Sequence, residues 1–202
     1  MSKVDLKKEL KELYFPPAQR VSLVDVPALN YLMIDGKGDP NTSQAYRESI
    51  EALYSVSFTL KFAVKKGQGV DYAVMPLEGL WWADDMTAFA TGDKMAWKWT
   101  SMMMQPSFIT AALVDQAREQ AAGRRALPAN AHMRFERYHE GLSAQIMHIG
   151  PYADEGPTIE KLHTFIERSG YKRRGKHHKI YLGDPRRAAP EKLKTVLRQP
   201  VF

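Results

Sequence analysis

Residues 144–165, AQIMHIGPYADEGPTIEKLHTF, constrain the fold more than any other stretch of the chain. Ala144, Ile146 and His148 alternate with Gln145, Met147 and Ile149, the pattern of a pleated strand covered on both faces. Gly150-Pro151 ends that strand. Pro157 then supplies the φ of a first helical turn, and Ile159, Leu162, Phe165 and Ile166 recur at helical spacing until Gly170 offers a left-handed stop. The same order occurs earlier: Asn30–Ile34 reads as a strand, Asp35-Gly36 as its end, and Tyr46, Ile50, Leu53 and Leu60 as a helical face. A second echo follows, KWTSMMMQPSF (98–108) against KLKTVLRQPVF (192–202). Two echoes in one order predict a duplicated strand-helix-strand-strand unit, with Glu78–Lys94 inserted in the first copy.

A chain of 202 residues, 44% of them hydrophobic, is long enough for a sizeable core and is not a disordered segment. It has no cysteine, which excludes disulfides, thiol nucleophiles and thiolate metal sites and fits a reducing compartment. The start, MSKVDLKKEL, is charged where a signal peptide needs an apolar run, and no segment reaches the length of a membrane span. A cytoplasmic protein without a membrane partner is therefore expected. The net charge of +6 is spread along the chain.

Leu6, Leu10 and Leu13 predict an N-terminal amphipathic helix within residues 1–15, stopped by Pro16-Pro17. Residues 16–202 form the main domain, its first half near 20–106 and its second near 131–202. Arg20–Asp25 alternates as a strand, with Pro27 as a turn before the next one. Asn41 is a candidate cap for a helix running to about Val64, and Ser107 for a helix ending at Gly123. A strand over 71–77 and a long one over 95–104 are expected, the latter placing Trp97, Trp99, Ser101 and Met103 on one face. Residues 133–139 and 142–149 read as a hairpin with Glu140-Gly141 at its tip, and 178–182 and 193–199 as the last strands.

Trp81, Trp82, Trp97 and Trp99 crowd a short stretch as the walls of a flat-ligand pocket would, although core packing uses the same rings. Tyr138, Tyr152 and Tyr181 are candidate hydroxyl donors, each also readable as a half-buried packing residue. Glu78 lies between Leu77 and Leu80 and so invites burial, whereas Glu155 sits where a carboxylate complements a helix N-terminus. The histidines give no metal site: His177 and His178 are adjacent in a strand and face opposite ways, and the other four are scattered. No metal, phosphate loop or dinucleotide loop is expected, and no cofactor. Lys172, Arg173, Arg174, Lys176 and Lys179 make a basic loop without interleaved aromatics, so nucleic-acid binding is not expected. The residues before the first strand are too few for a helix-turn-helix.

PLEGLWW (76–82), WKWTSMMMQP (97–106), AQIMHIGPY (144–152) and IYLGDPRRAAPEKLKTVLRQP (180–200), set in the doubled plan, resemble the GyrI-like small-molecule-binding proteins over about residues 20–202. The resemblance implies an α+β fold in which two pseudo-twofold halves pair antiparallel sheets around a central cleft for aromatic or amphipathic, often cationic, compounds. Some members are effector domains of multidrug-responsive activators. Others stand alone, and a few hydrolyse cyclopropane-bearing DNA-alkylating natural products. In relatives with a cation-binding carboxylate, a glutamate two residues before the tyrosine of Tyr-Leu-x-Asp-Pro is expected. Lys179 occupies that place here, two residues before Tyr181, which points to a neutral or anionic ligand or to Glu78 or Glu155 as substitutes.

The leading expectation is a stand-alone binding protein whose ligand touches Glu78, Trp81, Trp82, Trp99, Met103, Tyr138, Tyr152, Glu155, Lys179 and Tyr181. The alternative is a hydrolase of strained electrophiles, with Tyr152 or Tyr181 as acid and Glu78 or Glu155 positioning water. A third reading makes the chain an inhibitor of a partner protein acting through its N-terminal helix or basic loop.

Overall fold

The computed structural model describes residues 2–202, with the side chain of Ala90 left aside. Strands are β1 Ser2–Val4, β2 Ser22–Lys37, β3 Val70–Tyr72, β4 Leu77–Trp82, β5 Lys98–Gln105, β6 Arg134–Ile149, β7 His177–Tyr181 and β8 Lys194–Pro200. Helices are α1 Leu6–Glu9, α2 Lys11–Tyr14, α3 Gln44–Gln68, α4 Thr87–Thr91, α5 Ala111–Ala122 and α6 Gly156–Arg168. Six strands close an antiparallel barrel in the order β2-β5-β4-β7-β8-β6, so the main sheet has no free edge. The second half runs β6-α6-β7-β8, whereas in the first half β3 and α4 are interposed among β2, α3, β4 and β5.

Two predicted turns are absent because the chain runs through them. Pro27 lies inside the sixteen-residue β2, between Val26 paired with Gly141 and Ala28 paired with His139. Opposite, the expected hairpin over 133–149 is the single strand β6, both of whose arms pair with β2. Gly141, at φ +69°, bends β6 without reversing it. The predicted N-terminal helix is instead β1, which pairs in parallel with β3, followed by the two short helices. Residues 73–76 of the expected 71–77 strand are irregular and separate β3 from β4.

Helix α3 begins at Ser43, whose hydroxyl accepts from the Tyr46 N–H, and ends at Gly69 in the left-handed region. Asn41 is bonded to Asp39 instead of capping the helix. Ala52, Leu53, Val56, Leu60 and Val64 form its buried stripe, each large side chain contributing roughly 1.5–3 kcal/mol against exposure. This stripe covers β2 and β5 together with α5, which is capped by Thr110. Helix α6 covers β6 and β8 through Leu162 and Ile166. Strands β4 and β7 lie between the two helices.

Alternation along the strands sends every second side chain into the lumen. The lumen holds Met33, Met102, Met104, Met147, Leu80, Ile180, Val196 and Tyr31, and residues 6–14 plug it with Leu6, Leu10, Leu13 and Tyr14. Unbranched methionines suit a tapering space that branched side chains fill poorly.

Candidate functional site

The outward faces of β4 and β7 form the floor of a cleft left between α3 and α6, which its own side chains largely fill: Trp81 is 4% and Trp99 1% exposed. Leu77, Gly79 and Trp81 alternate outward on β4 and stand opposite Tyr181, Lys179 and His177 on β7. Trp99 of β5 continues the row beyond Trp81, and Gly36 of β2 lies beyond Trp99. Glycine is required at Gly36 and Gly79, because a Cβ there would collide with the Trp99 and Trp81 rings. Both indoles can therefore lie flat on the sheet.

Tyr46, from the first turn of α3, sits 5.7 Å from the Trp81 ring and 5.0 Å from the Trp99 ring. Trp97 meets Trp81 edge-on at 5.9 Å, and Phe89 of α4 stacks on Trp97 at 4.6 Å. On the other wall Tyr152 packs edge-on against Tyr181 at 5.4 Å. Burial pushes the Tyr46 hydroxyl up to about 12, with the neighbouring Tyr181 pulling slightly the other way. Burial likewise raises Tyr181 well above the usual phenol range, and raises Tyr152 with help from the Glu155 charge. These phenols stay protonated near neutrality and act as donors.

Among these rings Lys179 Nζ donates to Glu155 Oε2 at 2.5 Å and lies 6.0 Å from the centre of the Trp81 ring. Glu155 is 2% exposed and occupies the N-cap of α6, yet makes no capping bond, because its side chain reaches to Lys179. The pair cancels its own charge, so the cleft presents no net carboxylate to a cation. Several polar atoms here are buried without a hydrogen-bond partner: Trp97 and Trp99 Nε1, Glu155 Oε1 and both ring nitrogens of His177, while Trp81 Nε1 is turned towards the Tyr181 hydroxyl. Buried donors and acceptors are ordinarily paired, so this concentration on one surface marks where a polar molecule fits.

The structure brings together Trp81, Trp99, Tyr152, Glu155, Lys179 and Tyr181 of the residues named from sequence. It separates four others. Glu78 points into the lumen, 1% exposed, where it accepts from Tyr14 Oη at 2.7 Å and from His178 Nε2 at 2.9 Å. Trp82, next to Trp81, faces the opposite side of β4, packs on the lumen cluster and is covered by Lys176 Nζ at 3.4 Å. Tyr138 packs edge-on against Tyr31 at 6.3 Å, and Met103 is sealed beneath α3. Sequence reasoning missed Tyr46 and His177. Tyr46 was read only as a helix-face residue, and His177 was weighed only as a metal ligand. No group of three or more potential ligands stands within reach of one metal ion among the described residues.

Behind the floor lies a buried polar network. His178 sits between Glu78 and Glu140, with Nδ1 3.0 Å from Glu140 Oε2, and Arg198 Nη1 donates to the same oxygen at 3.1 Å. Two carboxylates on opposite ring nitrogens require both to carry hydrogen, so His178 is an imidazolium and the four charges sum to zero. Burial opposes charge on His178, but Glu140 and Glu78 outweigh it and raise its pKa. Burial also works to raise Glu140, yet His178 and Arg198 hold it at about 2. Arg198 also donates to the Leu13 carbonyl at 2.6 Å and Gln145 to the Glu12 carbonyl at 2.6 Å, binding residues 12–14 into the barrel.

Two surface hollows lie elsewhere, one of about 480 Å³ beside Lys37, Asp84 and Lys98 and one of about 360 Å³ between α3 and α5. Neither has a buried unpaired polar atom in its lining, unlike the aromatic cleft. No helix among the described residues is long and apolar enough to cross a membrane.

Three solved structures from Listeria innocua share the fold. An uncharacterised conserved protein is 38% identical, with 98% of this chain and 100% of that chain covered and a TM-score of 0.90. A hydrolase is 38% identical, with both chains fully covered and a TM-score of 0.88. Another structure of a hydrolase is 36% identical, with 98% of this chain and 100% of that chain covered and a TM-score of 0.84. No curated protein matches the sequence. The family model for the GyrI-like small molecule binding domain matches residues 19–201. With nearly the whole chain matched and a barrel whose helices flank an aromatic cleft, this protein belongs to the GyrI-like small-molecule-binding domain family.

Proposed function

We propose that the cleft between α3 and α6 binds a planar aromatic or amphipathic molecule without net positive charge, in a sensing or protective role. The observation that carries this reading is the closed Lys179–Glu155 pair at the centre of the rings of Tyr46, Trp81, Trp99, Tyr152 and Tyr181. Aromatic walls supply stacking area, and a neutral floor avoids the cost of burying an unmatched charge. Titration with planar neutral, anionic and cationic aromatics tests it. Quenching of indole fluorescence by the neutral or anionic compounds, with cations weakest, is expected, and no response across such a set overturns the reading.

A second reading is hydrolysis, supported by the two hydrolase structures at 36% and 38% identity, and we propose strained electrophiles such as cyclopropane-bearing genotoxins as its substrates. Glu155 Oε1 is free to hold a water, and Lys179 and the Tyr152 hydroxyl are suited to receive an oxyanion. Water would add to the cyclopropane methylene as the ring bond's electrons move to the dienone oxygen, which is then protonated. Incubation with such a compound should yield the ring-opened phenol faster than buffer does, and more slowly with Glu155→Gln. Conversion at the buffer rate rejects this reading. The partner-inhibitor reading finds less support: the apolar face of residues 6–14 is already committed to the lumen.

A further inference from the structure

We infer that His177 accepts a hydrogen bond from an N–H on the ligand, so that the cleft selects neutral heteroaromatic lactams or amides over equally flat rings that lack such an N–H. This deepens the binding reading above and rests on it.

His177 stands on the cleft floor directly opposite Trp81 and two residues from Lys179, on the same face. It is 9% exposed, and neither ring nitrogen has a partner. The neighbouring Gln199 donates its NH2 to the carbonyls of Arg174 at 2.7 Å and Pro200 at 3.3 Å, and its side-chain oxygen is the group beside this ring that favours an N–H on it, which leaves the other ring nitrogen as the acceptor. Burial first, then the charge of Lys179, pushes the imidazole well below its ordinary pKa, so it is neutral at pH 7. A neutral imidazole has one N–H donor and one lone-pair acceptor on diverging sides of the ring, so a single lactam engages one of them: its N–H meets the lone pair, and its C=O is left for a separate donor.

The surroundings sharpen that pattern. His163 of α6 lies edge-on to His177 at 6.4 Å, and Arg173 Nη1 donates to His163 Nδ1 at 3.0 Å. That bond leaves the proton on His163 Nε2, an additional buried group without a partner. Trp99 Nε1 adds a donor, and Glu155 Oε1 adds an acceptor, while Trp81 Nε1 is turned towards Tyr181. An apolar ring would stack on the half-buried tyrosines but leave these groups unpaired, whereas a lactam can set its N–H on the His177 lone pair and its C=O on a separate donor.

The test uses isothermal titration calorimetry with 2-quinolone and N-methyl-2-quinolone, which share a flat bicycle but differ in the lactam N–H. Wild-type protein should bind 2-quinolone roughly tenfold more tightly, the scale of one well-made buried hydrogen bond. His177→Phe keeps a planar ring and should bring the two affinities within about twofold, leaving the N-methyl compound unchanged, while His177→Asn, with a donor and an acceptor, should restore part of the difference. Equal binding of the two probes by wild-type protein overturns the inference, as does full discrimination in His177→Phe. If His177→Phe does not fold, His177→Asn decides in its place: discrimination reduced but present supports the inference, and discrimination unaltered overturns it. Quinolones that fail to bind while other planar aromatics quench the indoles overturn this inference alone. Failure of every planar aromatic overturns the cleft reading beneath it.

Discussion

Arg198→Met is the perturbation that most directly examines how the barrel holds buried charge. Arg198 is 1% exposed and donates to Glu140 Oε2, to Gln145 Oε1 at 3.0 and 3.1 Å, and to the Leu13 carbonyl at 2.6 Å. Methionine fills nearly the same volume, so packing changes little and the lost interactions dominate. The substitution leaves two carboxylates facing one imidazolium, a buried excess of one negative charge. Breaking a buried ion pair costs about 3–5 kcal/mol, and the Gln145 and Leu13 oxygens lose their donor as well. The expected loss is about 4 kcal/mol in unfolding free energy, measured by urea titration of tryptophan fluorescence with m unchanged. Adding Glu140→Gln removes the excess charge. The double variant should therefore lose less than the sum of the two single losses, by about 2 kcal/mol. A loss below about 1 kcal/mol for Arg198→Met, or strict additivity, would refute the balanced-quartet argument.

Three further outcomes follow from the same geometry. His178 has a raised folded pKa, so its contribution is complete below its unfolded value near 6.5 and is lost as pH rises through the folded value, while Glu140, held at about 2, contributes above about 4.5 and loses it as pH falls towards 2. Urea midpoints should fall on both limbs, and His178→Asn should flatten the alkaline one. Gly36→Ala should destabilise by about 1–3 kcal/mol in the same assay, because the new Cβ meets the buried Trp99 ring; an unchanged midpoint would place that ring elsewhere. Lys179→Met leaves Glu155 unpaired in the cleft and should tighten binding of methyltriphenylphosphonium about tenfold by calorimetry, whereas unchanged affinity would mean that Glu155 does not face the ligand.

Much of the scaffold was legible from local pattern. The α6 periodicity from Ile159 to Ile166 and the alternation of 144–149 both correspond to observed elements, as does the shared outward face of Trp99, Ser101 and Met103. The errors lie where local and tertiary signals conflict. Glu140-Gly141 and Pro27 carry turn chemistry, but each faces the other across a barrel seam, where β2 supplies partners to both arms of β6 and continuing the strand saves more hydrogen bonds than reversing it would.

The candidate site divides in the same way. Sequence by itself determined which residue types were available: four tryptophans in one stretch, a lysine where relatives were expected to carry a glutamate, and adjacent histidines whose rings must face opposite ways. It could not assign those faces, because the side-chain period of two leaves open which set looks into the lumen until a second strand defines an inside. Barrel closure made that assignment, turning Glu78, Trp82 and His178 inward and Trp81, His177 and Lys179 towards the helices. Only then did two residues 24 positions apart, Glu155 and Lys179, become a single neutral pair, since burial and contact belong to the assembled sheet and not to any one of its strands.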